Sequence, residues 1–203
     1  FDIDFSAPSD TASDLEFVAA LKSAAGSVIL PSFRQRSAVT GDRQSLHINR
    51  PLKPFAEQSW AAVVNVDVEP DGRIRRYPLG ERLDGEFLPS MAAVLAGQFN
   101  TAEGSRLIDF GIRAASIPMV SYVDVLRGDA ATLAVLKDKK VIIGGTALEL
   151  GDRFSVPNGA VVSGPMLQAL AAESFLQGRA LRWTSEAVTL AASCPLALLM
   201  MFP

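Results

Sequence analysis

The residues best placed to bind a ligand follow one short apolar run. Residues 141–143 (VII) are predicted to form a buried strand that ends at Gly144, Gly145 and Thr146, with Asp152 in the polar loop beyond. Paired glycines let backbone N–H groups approach a ligand, and ligands in open α/β sheets lie at the carboxyl ends of strands. The pattern matches neither a Walker loop nor GxGxxG, so a tight strand exit that needs small residues only for packing is the alternative.

A second group of oxygen-bearing side chains lies at the start of the chain. Residues 1–5 (FDIDF) alternate apolar and acidic side chains, which predicts a strand with its carboxylates on one side. Asp4 belongs to this strand, and Ser6 and Ser9 lie in the loop after it. We expect the carboxyl ends of this strand and of residues 141–143 to converge and to form any ligand pocket that the chain has.

The acidic residues near the start also suggest a possible cation site. Hard cations are bound by several oxygen atoms, and Asp2, Asp4 and Asp10 lie close together in the sequence. However, no DxDxDG loop is present, and Asp14 is an ordinary acid for a first helical turn. We therefore predict no metal site and no cofactor, and leave open whether the Asp2, Asp4 and Asp10 group holds a cation.

The clearest local pattern lies in residues 62–79. Two alternating arms flank residues 69–72 (EPDG), in which proline and aspartate favour a turn and glycine supplies a positive φ. This pattern predicts a β-hairpin. Arg75 lies on one face of it and could bind an anionic ligand through two parallel hydrogen bonds, although a solvated hairpin face is the more common outcome.

The familiar catalytic motifs do not occur in the sequence. It contains no HExxH, CxxC, GxSxG or Walker lysine, and it has one histidine, His47, and one cysteine, Cys194. The net charge of −3 and the absence of a basic run argue against a nucleic-acid partner. We therefore predict that this chain is not an enzyme and does not bind nucleic acid.

The remaining patterns predict the elements that would position these residues. A helix capped by Ser13 and ended by Gly26 leads to a strand at residues 28–30 that Pro31 stops. Such a strand–helix–strand unit is typical of a parallel sheet. Further segments are a helix at 90–98 capped by Ser90, a strand at 107–110, a helix at 130–136 capped by Asp129, and a helix at 164–178. We predict an α/β fold, mainly a parallel sheet with flanking helices plus the β-hairpin.

The final segment, residues 187–203, contains no charged residue. A spanning helix needs about 20 apolar residues, and Arg179, Arg182 and Trp183 lie just before the segment as possible interface anchors. We expect a domain at residues 1–183 followed by the beginning of a transmembrane helix at residues 184–203. The alternative is a buried C-terminal helix of a soluble domain, interrupted by Pro195.

Short matches to one family lie in order along nearly the whole chain. They are residues 2–6 (DIDFS) with Asp10 and Asp14, Asn65 with residues 71–73 (DGR) and 75–79 (RRYPL), residues 89–90 (PS), Ser121 with residues 124–126 (DVL), residues 140–147 (KVIIGGTA), Asp152, Pro157, and Gly164 with residues 168–169 (QA). Together they resemble the type-two CHASE domain, the extracytoplasmic sensory module of bacterial membrane receptors. Two features depart from it: the strand and helix expected before Phe1 are absent, and Pro165 follows Gly164 instead of preceding it.

The resemblance implies an α/β sensor on the periplasmic or extracellular side of the bacterial cell membrane. One transmembrane helix would precede it, several would follow, and the cytoplasmic output module would be a histidine kinase, a nucleotide cyclase or a cyclic-di-GMP enzyme. It implies no catalytic residues and defines no ligand. On this basis we expect a small-molecule or protein signal, membrane contact through the C-terminal helix, and a homodimer.

Two other functions fit the same residues. The chain could be an interaction or dimerisation module without a small-molecule pocket. It could also be a soluble nucleotide- or phosphate-binding enzyme that uses the Gly144, Gly145 and Thr146 turn, which would require residues 187–203 to pack as a core helix.

Overall fold

The computed structural model describes residues 1–38, 44–100, 102–147, 151–179, 181 and 185–201. Short strands and helices alternate along this part of the chain. The strands are β1 (Ile29–Ala38), β2 (Gln44–Asn49), β3 (Trp60–Val63), β4 (Arg76–Leu83), β5 (Glu86–Pro89), β6 (Gly104–Leu107), β7 (Arg153–Ser155) and β8 (Val161–Ser163). The α-helices are α1 (Thr11–Ser23), α2 (Lys53–Ala56), α3 (Met91–Leu95), α4 (Tyr122–Leu126), α5 (Ala130–Leu136), α6 (Gly164–Leu176) and α7 (Glu186–Met201), with a 3₁₀ turn at Ala114–Ser116.

The first sheet has the strand order β2-β1-β3. Strand β1 pairs with β3 in parallel and with β2 in antiparallel orientation. Pro31 lies inside β1 opposite Ala62, so the prediction that it ends the strand was wrong. The ladder to β2 begins only at Phe33, and the missing N–H of Pro31 therefore breaks no bond to that strand.

The second sheet has the order β5-β4-β6 and is antiparallel throughout. Its hairpin joins β4 to β5 through Asp84 and Gly85, which have φ values of 53° and 84°. Two consecutive residues with positive φ are what a two-residue turn between twisted antiparallel strands requires, and Asp-Gly is a preferred pair there.

The hairpin predicted for residues 62–79 is wrong in its arms and right in its turn. The turn forms, since Gly72 N donates to Glu69 O at 2.8 Å and Glu69 N donates to Arg73 O at 2.9 Å. The arms separate because β3 pairs with β1 in one sheet while β4 pairs with β5 and β6 in another.

A mainly parallel sheet is therefore not what the chain forms. β7 and β8 are also antiparallel, and parallel pairing in the described residues is confined to β1–β3 and to isolated bridges. One of these bridges joins Asp2 to Gly144. Neither residues 1–5 nor residues 141–143 form a regular strand, and the Val141 side chain is 43% exposed. The correct part of the prediction is the mixed α/β class.

Helix boundaries follow local capping. Asp10, and not Ser13 as predicted, caps α1, since its Oδ1 accepts from Ser13 N at 3.0 Å. The caps predicted at Ser90 and Asp129 are confirmed. So is the long helix that begins at Gly164 with Pro165 in its first turn.

Helix α6 lies in the largest hydrophobic cluster. Tyr77 of β4 is fully buried against it, with the rings of Tyr77 and Phe175 6.4 Å apart and edge to face. Because α6 is packed into this cluster along its length, its first turn has a fixed position against which the neighbouring segments pack. The buried members of the cluster are Ile74, Tyr77, Ala92, Ile108, Val156, Val162, Leu167, Leu170, Ala171, Ala172 and Phe175.

The first part of helix α7 presents apolar side chains outward. Residues 187–195 are exposed, with Val188 at 55% and Leu190 at 63%. The alternative of a buried C-terminal helix is therefore wrong for these residues. No helix in the described ranges combines the length and the apolar character needed to cross a membrane. Arg182 and Trp183 lie outside the described residues.

Candidate functional site

Four polar residues from separate parts of the chain meet where α6 begins. Asp2, Tyr77, Asp152 and Gln168, called the Asp2 cluster below, come from the first residues, strand β4, the segment before β7 and the second turn of α6. Burial raises the pKa of Tyr77 most strongly, and the charges of Asp2 and Asp152 raise it further, so electrostatic interactions connect these residues.

Asp2 is positioned by its own backbone and by a glycine. Its N–H donates to Ile143 O at 2.7 Å, next to the bridge with Gly144. A β-carbon on Gly144 would lie 2.5 Å from Pro165 Cγ and 2.9 Å from Asp2 Cβ, which is closer than any side chain tolerates. Gly144 is thus required because the first residues of the chain pack closely against the start of α6. This agrees with the alternative that a small residue is needed here only for packing.

Asp152 lies against the first residue of α6. Its backbone oxygen accepts from Gly164 N at 3.1 Å. Its carboxylate fills the space where a side chain at Gly164 would be. A carboxylate in this position interacts favourably with the positive end of the helix dipole.

The environment of the cluster opposes negative charge. Burial raises the pKa of Asp2 most strongly and the charge of Asp152 raises it further, whereas the adjacent Gln168 amide lowers it. Burial also raises the pKa of Asp152, and hydrogen bonding from Gly164 opposes that change. Both carboxylates therefore ionise less readily than exposed aspartates do.

Three oxygen atoms of the cluster have no hydrogen-bond partner within the described part of the chain. They are Asp2 Oδ2, Tyr77 Oη and Gln168 Oε1. The exposed fraction is 0% for Tyr77 and 4% for Gln168. Buried polar atoms almost always have partners in folded proteins, so three unpartnered oxygens in one cluster indicate a place where something else binds.

The cluster includes some of the predicted site residues and omits others. Asp152 is a member and Gly144 contacts Asp2, whereas Gly145 is only partly buried and Thr146 is exposed. The other predicted residues make local bonds in the exposed loop before α1: Asp4 Oδ1 accepts from Ser6 N at 2.8 Å, and Ser9 Oγ donates to Asp14 Oδ1 at 2.7 Å. The two segments that were expected to converge do meet, but the bridge to Gly144 is made by Asp2, which precedes Asp4, Ser6 and Ser9.

Arg75 bonds to carboxylates of its own turn. Its Nη1 lies 2.5 Å from Glu69 Oε2 and its Nη2 lies 2.5 Å from Asp71 Oδ2. The Arg75 guanidinium lowers the pKa of Asp71 to about 2. The bidentate capacity that suggested ligand binding is thus used to fix the turn at residues 69–72.

Arg75 also lines a surface cleft of about 440 Å³ that shares no residue with the Asp2 cluster. Asp109 on its wall already pairs with Arg179, whose Nε lies 2.8 Å from Asp109 Oδ2. Both charged side chains of the wall are therefore neutralised within the chain. The full lining is Arg75, Leu107, Ile108, Asp109, Phe110, Gly111, Pro157 and Leu181.

Sequence reasoning did not select Tyr77 and Gln168 as site residues, and it considered Asp2 only in a possible cation group with Asp4 and Asp10. One signal was readable: Gln168 is a polar residue directly after Leu167 in the buried stripe of α6. The proposed grouping of Asp2, Asp4 and Asp10 does not form, because Asp10 caps α1 and Asp4 caps its own loop. In the described ranges no three or more histidine, cysteine or acidic residues are grouped for a metal ion.

The family model described as CHASE2 domain matches residues 1–202. The chain belongs to the CHASE2 family. This match confirms the resemblance noted in the sequence. CHASE2 domains are extracytoplasmic sensory domains and not catalytic ones. No curated protein and no solved structure matches the chain. All four members of the Asp2 cluster lie within the short matches that carried the CHASE2 resemblance.

Proposed function

We propose that this CHASE2 domain is the extracytoplasmic sensor of a bacterial membrane receptor and that its signal acts at the Asp2 cluster. The observation that carries the proposal is the contact of the cluster with the start of α6. Asp152 occupies the space over Gly164, and Gln168 lies beside the Asp2 carboxylate one turn further on. A change of occupancy or charge there acts directly on the helix that leads toward the C-terminal segment.

Helix α6 is suited to transmit such a change because it is packed as a unit. Its residues Leu167, Leu170 and Phe175 are buried in the same hydrophobic cluster as Ile74 and Tyr77. Closely packed helices shift as rigid bodies and do not deform locally. A ligand changes the balance between two positions of α6 only if it binds one of them more tightly.

The exposed apolar side chains of α7 support attachment to a membrane. We propose that residues 184–203 begin a transmembrane segment and that residues 1–183 form the sensor outside the cytoplasm. Exposed apolar helices are stable when lipid or another helix covers them. The output module we expect is a histidine kinase, nucleotide cyclase or cyclic-di-GMP enzyme, and the receptor is expected to be a homodimer.

The full-length receptor in native membranes provides the test. Its output activity is measured for Asp152→Asn and Gln168→Met, with Asp4→Asn as a matched control in the exposed loop. We expect both cluster variants to change output several-fold and to lose its regulation, while Asp4→Asn behaves as wild type. If both cluster variants retain normal regulation, the signal does not act at this cluster.

An interaction module without a ligand pocket is the second candidate, and one surface favours it. Several large apolar side chains are exposed along α4 and α5, which is typical of a surface that another protein covers. Tyr122→Asp with Leu126→Asp would then abolish output control, while the cluster variants respond normally. The exposed members are Met119, Tyr122, Val123, Leu126, Leu133 and Val135.

A further inference from the structure

The Asp2 cluster contains two carboxylates whose charge is balanced by no neighbouring side chain that the structure describes. Neither Asp2 nor Asp152 forms an ion pair with a lysine, arginine or histidine of the described ranges. Partly buried carboxylates without a compensating charge are costly, because they lose hydration and gain no counter-charge.

The unpartnered atoms of the cluster are all oxygens. Gln168 Oε1 can only accept, an ionised Asp2 Oδ2 can only accept, and Tyr77 Oη has lone pairs besides its proton. Tyr77 and Gln168 are buried, so bulk water does not satisfy these atoms. Carboxylate, amide and hydroxyl oxygens without nitrogen or sulfur are the ligand set of hard cations.

We propose that the Asp2 cluster binds a small hard divalent cation, Mg²⁺ or Ca²⁺, through the carboxylates of Asp2 and Asp152 together with oxygens of Gln168 and Tyr77. Two carboxylates suffice for such an ion when neutral oxygens and water complete its shell. The site differs from the grouping of Asp2 with Asp4 and Asp10, since both latter carboxylates make local caps. Burial raises the pKa of each cluster carboxylate, and a bound cation would oppose that increase.

Binding of this kind would connect the first residues of the chain to α6. Asp2 is bonded to residue 143, Asp152 lies over Gly164, and Gln168 lies within α6. One ion touching these side chains fixes the helix start relative to both segments. The inference deepens the proposed function, because it names the chemical class of what occupies the signal site.

The test uses the whole chain in mild detergent after treatment with a chelator. MgCl₂, CaCl₂, NaCl and KCl are added at constant ionic strength, and the melting temperature and the binding isotherm are recorded. A saturable rise in melting temperature with Mg²⁺ or Ca²⁺ is expected, since a ligand that binds only the folded state stabilises it. Asp2→Asn and Asp152→Asn should weaken binding at least tenfold, while Asp4→Asn, the matched control, binds as wild type.

Two further variants keep the proposal testable if an asparagine variant does not fold. Gln168→Glu adds a third carboxylate and should tighten divalent binding, because affinity rises with ligand charge. Tyr77→Phe should remove tyrosine-sensitised luminescence of bound Tb³⁺, a probe for Ca²⁺ sites.

The proposal is overturned if no divalent ion raises the melting temperature of the wild-type protein. It is also overturned if both asparagine variants bind the ion as tightly as wild type. A melting temperature that rises only on acidification also overturns it, since a proton alone then occupies the cluster. Output measurements separate this inference from the proposed function. Variants that lose the cation but keep regulated output contradict the proposed function alone, whereas cluster variants that lose regulation in a receptor that binds no cation contradict this inference alone.

Discussion

A β-carbon on Gly164 would lie 1.9 Å from Oδ2 of Asp152 and 2.6 Å from its Cγ. The carboxylate therefore occupies the volume that any other residue would need at the first position of α6. This contact holds the segment before β7 against the helix start and gives the Asp2 cluster its shape.

Gly164→Ala should consequently destabilise the domain. The new methyl group must displace the Asp152 carboxylate or shift the helix start, and such overpacking typically costs about 1–3 kcal/mol. Equilibrium denaturation with urea measures the loss in the free energy of unfolding.

The matched control places the same substitution in an Asp152→Ala background. Gly164 does not have a positive φ, so alanine suits its backbone once the carboxylate is gone. The cost of Gly164→Ala should then fall to a few tenths of a kcal/mol or vanish. An equal cost in both backgrounds would show that the contact with Asp152 is not its cause.

Tyr77→Phe should leave the cation-free domain as stable as wild type or raise its free energy of unfolding. The hydroxyl is buried without a partner in the described ranges, and removal of an unsatisfied polar group of this kind is neutral or favourable. Tyr77→Ala, which also removes the ring, should cost about 3–5 kcal/mol. A clear loss on Tyr77→Phe, measured by thermal and urea denaturation, would mean that the hydroxyl has a partner.

The contribution of Asp2 and Asp152 to stability without divalent ions should fall as the pH rises through the acidic range. The folded-state pKa values of Asp2 and Asp152 lie above the ordinary value of about 4, so the folded state holds more protons than the unfolded state over that window. This contribution to the free energy of unfolding is therefore highest below the ordinary pKa and declines until the pH exceeds the raised values.

Asp152→Asn tests this assignment in urea denaturation across that pH range. It removes one titrating group and one of the charges that raise the pKa of Asp2, so the decline should become smaller and shift to lower pH. Asp4→Asn serves as the exposed control and should retain the wild-type profile. An unchanged profile in Asp152→Asn would remove this carboxylate as a source of the dependence.

Arg75→Gln should weaken the turn at residues 69–72 without altering regulated output. The Arg75 guanidinium bonds to Glu69 and Asp71, which stabilises the folded turn while Asp71 is ionised. The pKa of Asp71 is lowered to about 2, so this contribution is present above the ordinary aspartate pKa and is lost as the pH falls toward 2.

Thermal denaturation at pH 7 and pH 2.5 should show a difference between wild type and Arg75→Gln that shrinks at the lower pH. Arg73→Gln, two residues earlier in the chain, is the matched control. Loss of signal response in the full-length receptor on Arg75→Gln alone would restore Arg75 as a ligand-binding residue.

Local features were predictable because a few neighbouring residues decide them. The caps at Ser90 and Asp129, the helix from Gly164 and the turn at residues 69–72 each depend on contacts within about four residues. The hairpin turn at Asp84 and Gly85 was equally readable from its dipeptide and was missed. The start of α1 could not be predicted from local sequence alone. Asp10 and Ser13 are both suitable N-cap residues, and only the path of the chain selects Asp10.

The sequence by itself determined the α/β class, the starts of α3, α5 and α6, the turn at residues 69–72 and membership in the CHASE2 family. Only the tertiary structure decided that β3 pairs with β1 while β4 pairs with β5 and β6, and that Asp2, Tyr77, Asp152 and Gln168 meet at the start of α6. The physical reason is range. Periodicity and capping record interactions between near neighbours, whereas strand partners and buried polar contacts are selected by packing among segments that lie far apart along the chain.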